Sequence, residues 1–235
     1  TGQTAATLTA GTYTAEGVTY NYRSAELVAN ATTEGSKPYA VTATDVAGNA
    51  KTVNGTATID NVLPTAANVQ TTNVAGGTAG RAEKGDTVVF TFSEPIDPQS
   101  VLAGWTGAAT NVVVRLADNG LLGLATGNDE LLVYNAANNA QLPLGAVNLG
   151  RGDYVAGLLG GFVSFGATGT ASSMVMSGNT ITITLGTELG VLVGTTTAAG
   201  TGTMIWTPVA TPYDRAGNVM ATSAASQSPA PTKAF

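Results

Sequence analysis

Apolar residues in this chain recur at every second position in short runs, and that period constrains the fold more than any other feature. Val18, Tyr20 and Tyr22 alternate with Thr19 and Asn21, and Tyr39, Val41 and Ala43 alternate with Ala40, Thr42 and Thr44. Val88, Phe90 and Phe92 share one side, as do Val112, Val114 and Leu116, while Ile181, Ile183 and Leu185 stand opposite Thr182 and Thr184. Period two is the signature of half-buried strands. Thirty glycines and nine prolines interrupt the runs at turn-like intervals, and no stretch sustains a 3.6-residue stripe. Only Val101 to Trp105, after the break at Pro98, reads as one helical turn. The expected class is all-β and sandwich-like.

A boundary is expected at "TIDNVLPTAANV", where an alternating strand ends at Ile59, Asp60-Asn61 offers a turn and Pro64 stiffens the exit. Residues 1–64 then form a short first module and 65–235 a larger second one. The second carries Gly-rich insertions, "GLLGLATGNDE" and "VAGLLGGFVSFGATG", whose Leu and Phe residues suit loops or short strands packed on a sheet better than linker. An internal repeat links the modules. Asp45, Gly48 and Asn49 in "DVAGN" answer to Asp214, Gly217 and Asn218 in "DRAGN". Asp bonds to backbone amides two residues on, and Gly and Asn tolerate positive φ, so each copy predicts a hairpin loop.

"YAVTATDVAGNAKTVNGTATIDNVLPT" resembles the closing half of a bacterial immunoglobulin-like repeat, in which a penultimate strand runs into D-x-A-G-N and the last strand ends at Asp before a Pro-containing junction. "GDTVVFTFSEPIDPQSVLAGW" resembles the opening of another bacterial immunoglobulin-like repeat type. Residues from about 107 to 200 carry no such motif. The resemblance implies two immunoglobulin-like β-sandwich modules of a secreted or cell-surface bacterial protein: an adhesin, a surface-layer protein or an appendage subunit. It implies no enzymatic activity.

A seven-strand sandwich of that kind takes about 100 residues, and the first module is far shorter. Its candidate strands are Ala5–Thr9, Val18–Tyr22, Glu26–Ala29, Tyr39–Thr44 and Thr52–Ile59. Such a sheet leaves an apolar face or an open edge that something must cover. The second module could pack on it, or a strand could arrive from another copy of the chain. The uncharged N-terminal stretch "TGQTAATLTAGTYTA" is the candidate donor. A head-to-tail donation does not close on itself and builds a fibre. An ordinary first strand in its own sheet is the plainer alternative.

The side-chain inventory removes most chemistry. The chain has no Cys and no His, which excludes disulfides, thiol nucleophiles, Ser-His-Asp triads and the usual zinc sites. Charged residues make up only 10% of the chain, with a net charge of -6 and no clustered cations. Nucleic acid needs a basic stripe and finds none, and no run approaches the ~20 apolar residues of a membrane span. Glu94 and Asp97, each followed by proline, resemble a glycosidase acid and base in number, but two prolines stiffen the turn and no aromatic-lined subsite accompanies them. The expectation is a non-enzyme that requires no cofactor. Calcium is the one candidate ligand, through Asp45, Asp60, Asn61, Glu94 and Asp97 near predicted loop ends at or around the junction. "RGD" at 151–153 is read as a chance match before a strand. The expected partners are copies of the chain itself, with cell-surface glycan or another surface protein as the alternative; the alternative function is an adhesive or spacer module.

Overall fold

The structure is a computed structural model that describes residues 7–15, 17–25, 33–119, 127–157, 161–190, 193–229 and 232–235. The chain divides into two compact units, Thr1–Asn61 and Val62–Phe235. Nearly all of the regular structure is β, with one helix of four residues among the described residues.

The first unit holds two antiparallel hairpins. Strands β1 (Leu8–Ala15) and β2 (Val18–Ser24) form one, with a bulge between Ala10 and Tyr13. Strands β3 (Gly35–Thr44) and β4 (Ala50–Ile59) form the other, in unbroken register from Gly35 opposite Ile59 to Thr44 opposite Ala50. The stretch proposed as a donor is thus, from Leu8 on, paired with β2 of its own chain. Residues 1–6 and the expected strand at Glu26–Ala29 lie outside the described residues.

The second unit opens with β5 (Ala66–Thr72), β6 (Thr87–Phe92) and the helix α1 (Pro98–Val101). It continues through β7 (Thr110–Asp118), β8 (Glu130–Asn135), β9 (Gln141–Asn148), β10 (Val155–Gly157), β11 (Gly161–Phe165) and β12 (Ser172–Ser177). It ends with β13 (Thr180–Thr184), β14 (Glu188–Leu189), β15 (Val193–Thr195), β16 (Ile205–Thr207) and β17 (Ala225–Ser226). The main sheet runs β17-β16-β9-β8-β7-β12-β13-β6-β5, with β11 sharing one edge of β7 with β12 and carrying β14. Strands β10 and β15 pair separately. The second Gly-rich insertion therefore supplies strands β10 and β11, while residues 120–126 of the first lie outside the described residues.

This sheet curls until its two ends meet, giving a sandwich- or barrel-like body. Ser228, just past β17, exchanges hydrogen bonds with the Asn68 side chain on β5 at 2.9 and 2.8 Å and also accepts one from Gln70 Nε2. Curling brings strands distant in sheet order face to face. Trp206 of β16 meets Phe90 and Phe92 of β6 edge-on, with ring centroids 5.1 and 5.0 Å apart, and its indole N–H donates to the Leu144 carbonyl at 2.6 Å. The alternation read from the sequence is realised here: Val88, Phe90 and Phe92 are buried, as are Val112, Val114, Leu116, Ile181, Ile183 and Leu185. The helical turn falls at Pro98–Val101 rather than Val101–Trp105, because Asp97 caps it and Pro98 starts it. Trp105 is core instead, its indole N–H donating to the Ala108 carbonyl. The C-terminal segment is core as well. Ala234 N–H donates to the Tyr154 hydroxyl, Phe235 N–H to Thr71 Oγ1, and the Phe235 ring packs edge-on to Tyr154.

Candidate functional site

Cross-strand partners project to the same side of a hairpin, so the register assigns each face in the first unit. One side of β3–β4 carries Tyr39 opposite Gly55, Val41 opposite Val53, and Lys37 opposite Ala57. The Tyr39 ring lies over Gly55, where an added Cβ would meet it at 2.5 Å. The other side is polar, with Thr42 and Thr52 joined hydroxyl to hydroxyl at 2.8 Å. In the β1–β2 hairpin Ala10 stands opposite Tyr22 and Tyr13 opposite Tyr20, and the Arg23 guanidinium lies over the Tyr13 ring, 4.7 Å from its centroid. These apolar sides are open. Tyr39, Val41 and Val53 are 51%, 55% and 59% exposed, and Tyr20, Tyr22 and Leu8 are as open. No described residue of the first unit is buried.

The repeated loops are the same structure twice. In the first, Asp45 N–H donates to the Asn49 carbonyl, Gly48 N–H to the Asp45 carbonyl, and the Asn49 backbone and side-chain amides to the two Asp45 carboxylate oxygens at 2.8 and 2.9 Å. Asp214, Gly217 and Asn218 make the same four bonds, with carboxylate distances of 2.9 and 2.8 Å. The glycines sit at φ +89° and +90°, a region open to Gly without steric cost. Those bonds from Asn49 hold the Asp45 carboxyl below its ordinary range. The surroundings differ: Asp45 is exposed, Asp214 buried.

Among the five residues expected to gather for calcium, Asp45 is committed to its loop and Asp97 to capping α1, where Oδ1 accepts from Gln99 N–H at 2.9 Å. Asp60 and Asn61 close the first unit, and Asn61 N–H donates to Glu34 Oε1. Glu94 belongs to the second unit. There a carboxylate oxygen of Glu94 lies within 4.8 Å of one from Asp214, a partner found only through the fold, since 120 positions' separation hides it and the sequence marks Asp214 as a loop residue alone.

A second acid was not legible at all. Asp129 is fully buried, with Oδ2 accepting from Tyr154 and Val155 N–H at 2.8 and 2.9 Å, while Oδ1 has no hydrogen-bond partner among the described residues. Burial raises its pKa to about 6, with the Asp118 and Asp153 charges adding to the rise. Nothing in "GNDE" signals burial, because the β-strand that wraps it comes from later in the chain. The neighbouring "RGD" is closed on itself: Arg151 forks onto Asp153 at 2.7 and 2.5 Å, and Asp153 also accepts from Ala199 N–H. The Arg151 guanidinium holds the Asp153 carboxyl below its ordinary range.

Compared with family models, characterised proteins and solved structures, the chain matches none of them.

Proposed function

We propose that this chain is a non-enzymatic, extracellular structural subunit of a bacterial cell surface, which assembles into a fibre or layer by β-strand pairing between copies. One observation carries the reading: a unit of four well-formed strands in which every described residue stays open to solvent and both hairpins present an apolar side. Apolar sheet faces and strand edges of this kind demand cover, and pairing between copies supplies it by β-augmentation. The low share of charged residues, 10% of the chain, favours such close contact, since few ions must be desolvated. The D-x-A-G-N loops and the strand pattern support reading both units as immunoglobulin-like modules. The mechanism needs no metal.

Negative-stain electron microscopy and sedimentation of the purified chain test the proposal. Filaments or lattices that grow with concentration are the expected result. A monodisperse monomer at every concentration overturns it and leaves the alternative, an adhesive or spacer module. That second reading is favoured by the second unit, whose curled sheet and buried core have the form of a rigid spacer.

A further inference from the structure

The loop of the β3–β4 hairpin determines which backbone groups each of its two edges exposes. Asp45 N–H donates to the Asn49 carbonyl at 2.9 Å, and from there the register runs unbroken to Gly35 opposite Ile59. Bonded and unbonded pairs alternate along an antiparallel ladder. Counting back from the loop, Ala43 with Lys51, Val41 with Val53, Tyr39 with Gly55 and Lys37 with Ala57 bond across the hairpin. The pairs between them turn their N–H and C=O groups outward: Thr44 with Ala50, Thr42 with Thr52, Ala40 with Asn54, Pro38 with Thr56 and Ser36 with Thr58. The Thr42 and Thr52 hydroxyls, 2.8 Å apart, agree, because side chains stand closer in unbonded pairs.

The two edges are not equivalent. On β3 the outward run is broken at Pro38, which has no N–H to give. On β4 the run of Ala50, Thr52, Asn54, Thr56 and Thr58 is unbroken, exposed, and paired with no other strand among the described residues. An open edge of this length is a template for a further strand. We propose that β4 is the seam between copies: it pairs antiparallel with β4 of a second copy about a two-fold axis at Asn54, so that the two hairpins form one continuous sheet. The inference rests on the assembly reading above and specifies the strand, register and symmetry of the contact.

The β4 sequence is complementary to itself in that register. A two-fold axis at Asn54 pairs the whole outward run, setting Ala50 opposite Thr58, Thr52 opposite Thr56 and Asn54 opposite its own counterpart. The residues between them then meet in the closer, unbonded pairs. Lys51, the one charged residue of β4, faces Ala57 of the second copy, so no like charges oppose each other. Val53 faces Gly55 of the second copy, and the Tyr39 ring of that copy lies over this glycine, where an added Cβ would meet it at 2.5 Å. Val53 and Tyr39, 59% and 51% exposed in the single chain, therefore come together across the seam. This match of edge, charge and apolar contact is what singles out a second copy as the occupant. A two-fold seam closes on itself, so growth into a fibre or layer takes a second contact elsewhere on the chain.

The chain has no Cys, so single cysteines introduced into the full chain report the seam. Asn54→Cys places two thiols in a directly opposed pair with Cα atoms about 5.5 Å apart, inside the roughly 4.4–6.8 Å that a disulfide spans. Mild oxidation is expected to give covalent dimer as the main product on a non-reducing gel. Ala40→Cys, on the same side of the hairpin but on β3, lies three strand spacings, about 14 Å, from its counterpart and is expected to stay uncrosslinked. Both positions are exposed, so neither change removes a packed contact. Asn54→Lys sets like charges opposite each other and is expected to raise the dimer dissociation constant several-fold by sedimentation, while Ala40→Lys leaves it unchanged. No crosslink through Asn54→Cys, or crosslinking equal to that of Ala40→Cys, overturns the seam. Filaments whose growth Asn54→Lys leaves unchanged refute the seam and keep assembly; an Asn54→Cys dimer that never grows further keeps the seam and refutes the fibre or layer.

Discussion

Asp129 and Asp153 pull stability in opposite directions with pH. The folded pKa of Asp129, about 6, lies above the ordinary value of 3.8, so the fold binds this proton more tightly than the unfolded chain does. Its contribution is complete below the unfolded pKa and is lost as pH rises through the folded one. Asp153 is lowered, so its contribution is present above 3.8 and lost as pH falls below that. Unfolding of the second unit is therefore expected to be most resistant at about pH 4–5. Asp129→Asn is expected to flatten the limb between pH 4 and 7, a difference on the order of 2–3 kcal/mol at most, measured by denaturant melts across that range. Asp214 makes a sharper structural prediction. Asp214→Ala strands the amides of Ala216 and Asn218 in a part-buried loop and is expected to destabilise the second unit by about 2–3 kcal/mol. Asp45→Ala, in the exposed twin, leaves the melting of the second unit unchanged. Both loops were legible as residues, since D-x-A-G-N states its own hydrogen bonds; the pairing of Asp214 with Glu94 was not, because it depends on where β6 exits.

At the level of elements, period two was enough to find β6, β7 and β13 and to name their inward sides. Trp206 adds what pattern cannot. Its strand has three residues, too short for an alternation, yet it holds the contact that joins opposite ends of the sheet order. Trp206→Ala is expected to cost about 3–5 kcal/mol and to melt the curled sheet as one body, which near-UV circular dichroism during heating would show; a change confined to a few tenths would contradict this role. In the first unit the same alternation is present without burial. There Val41→Lys is expected to raise solubility and leave the far-UV spectrum unchanged, since no fold-sustaining contact is lost, whereas a buried valine replaced in this way would unfold its module.

Across the whole molecule, the two units are expected to differ in resistance rather than in secondary structure. Brief trypsin treatment of the isolated chain is expected to cut at Arg23 and Lys51, which lie on hairpins without a core. Arg115, bonded to Asn138 and stacked on Tyr134 at 3.8 Å, and Arg151, forked onto Asp153, resist. A surviving fragment that begins after Lys51 is the expected product, read by mass spectrometry. Protection of those two sites on assembly would mark the first unit as the interface, and equal cutting throughout would contradict the contrast. Local rules written into neighbouring residues were readable from the chain alone: the all-β class, the inward side of each long strand, the twin loops, and the shortage of strands before residue 64. Each depends on interactions within about ten positions. What required the folded molecule was every relation across longer separations: the closure of β5 onto Ser228, the docking of Phe235 and the burial of Asp129. Those relations arise from packing between surfaces that no local pattern names.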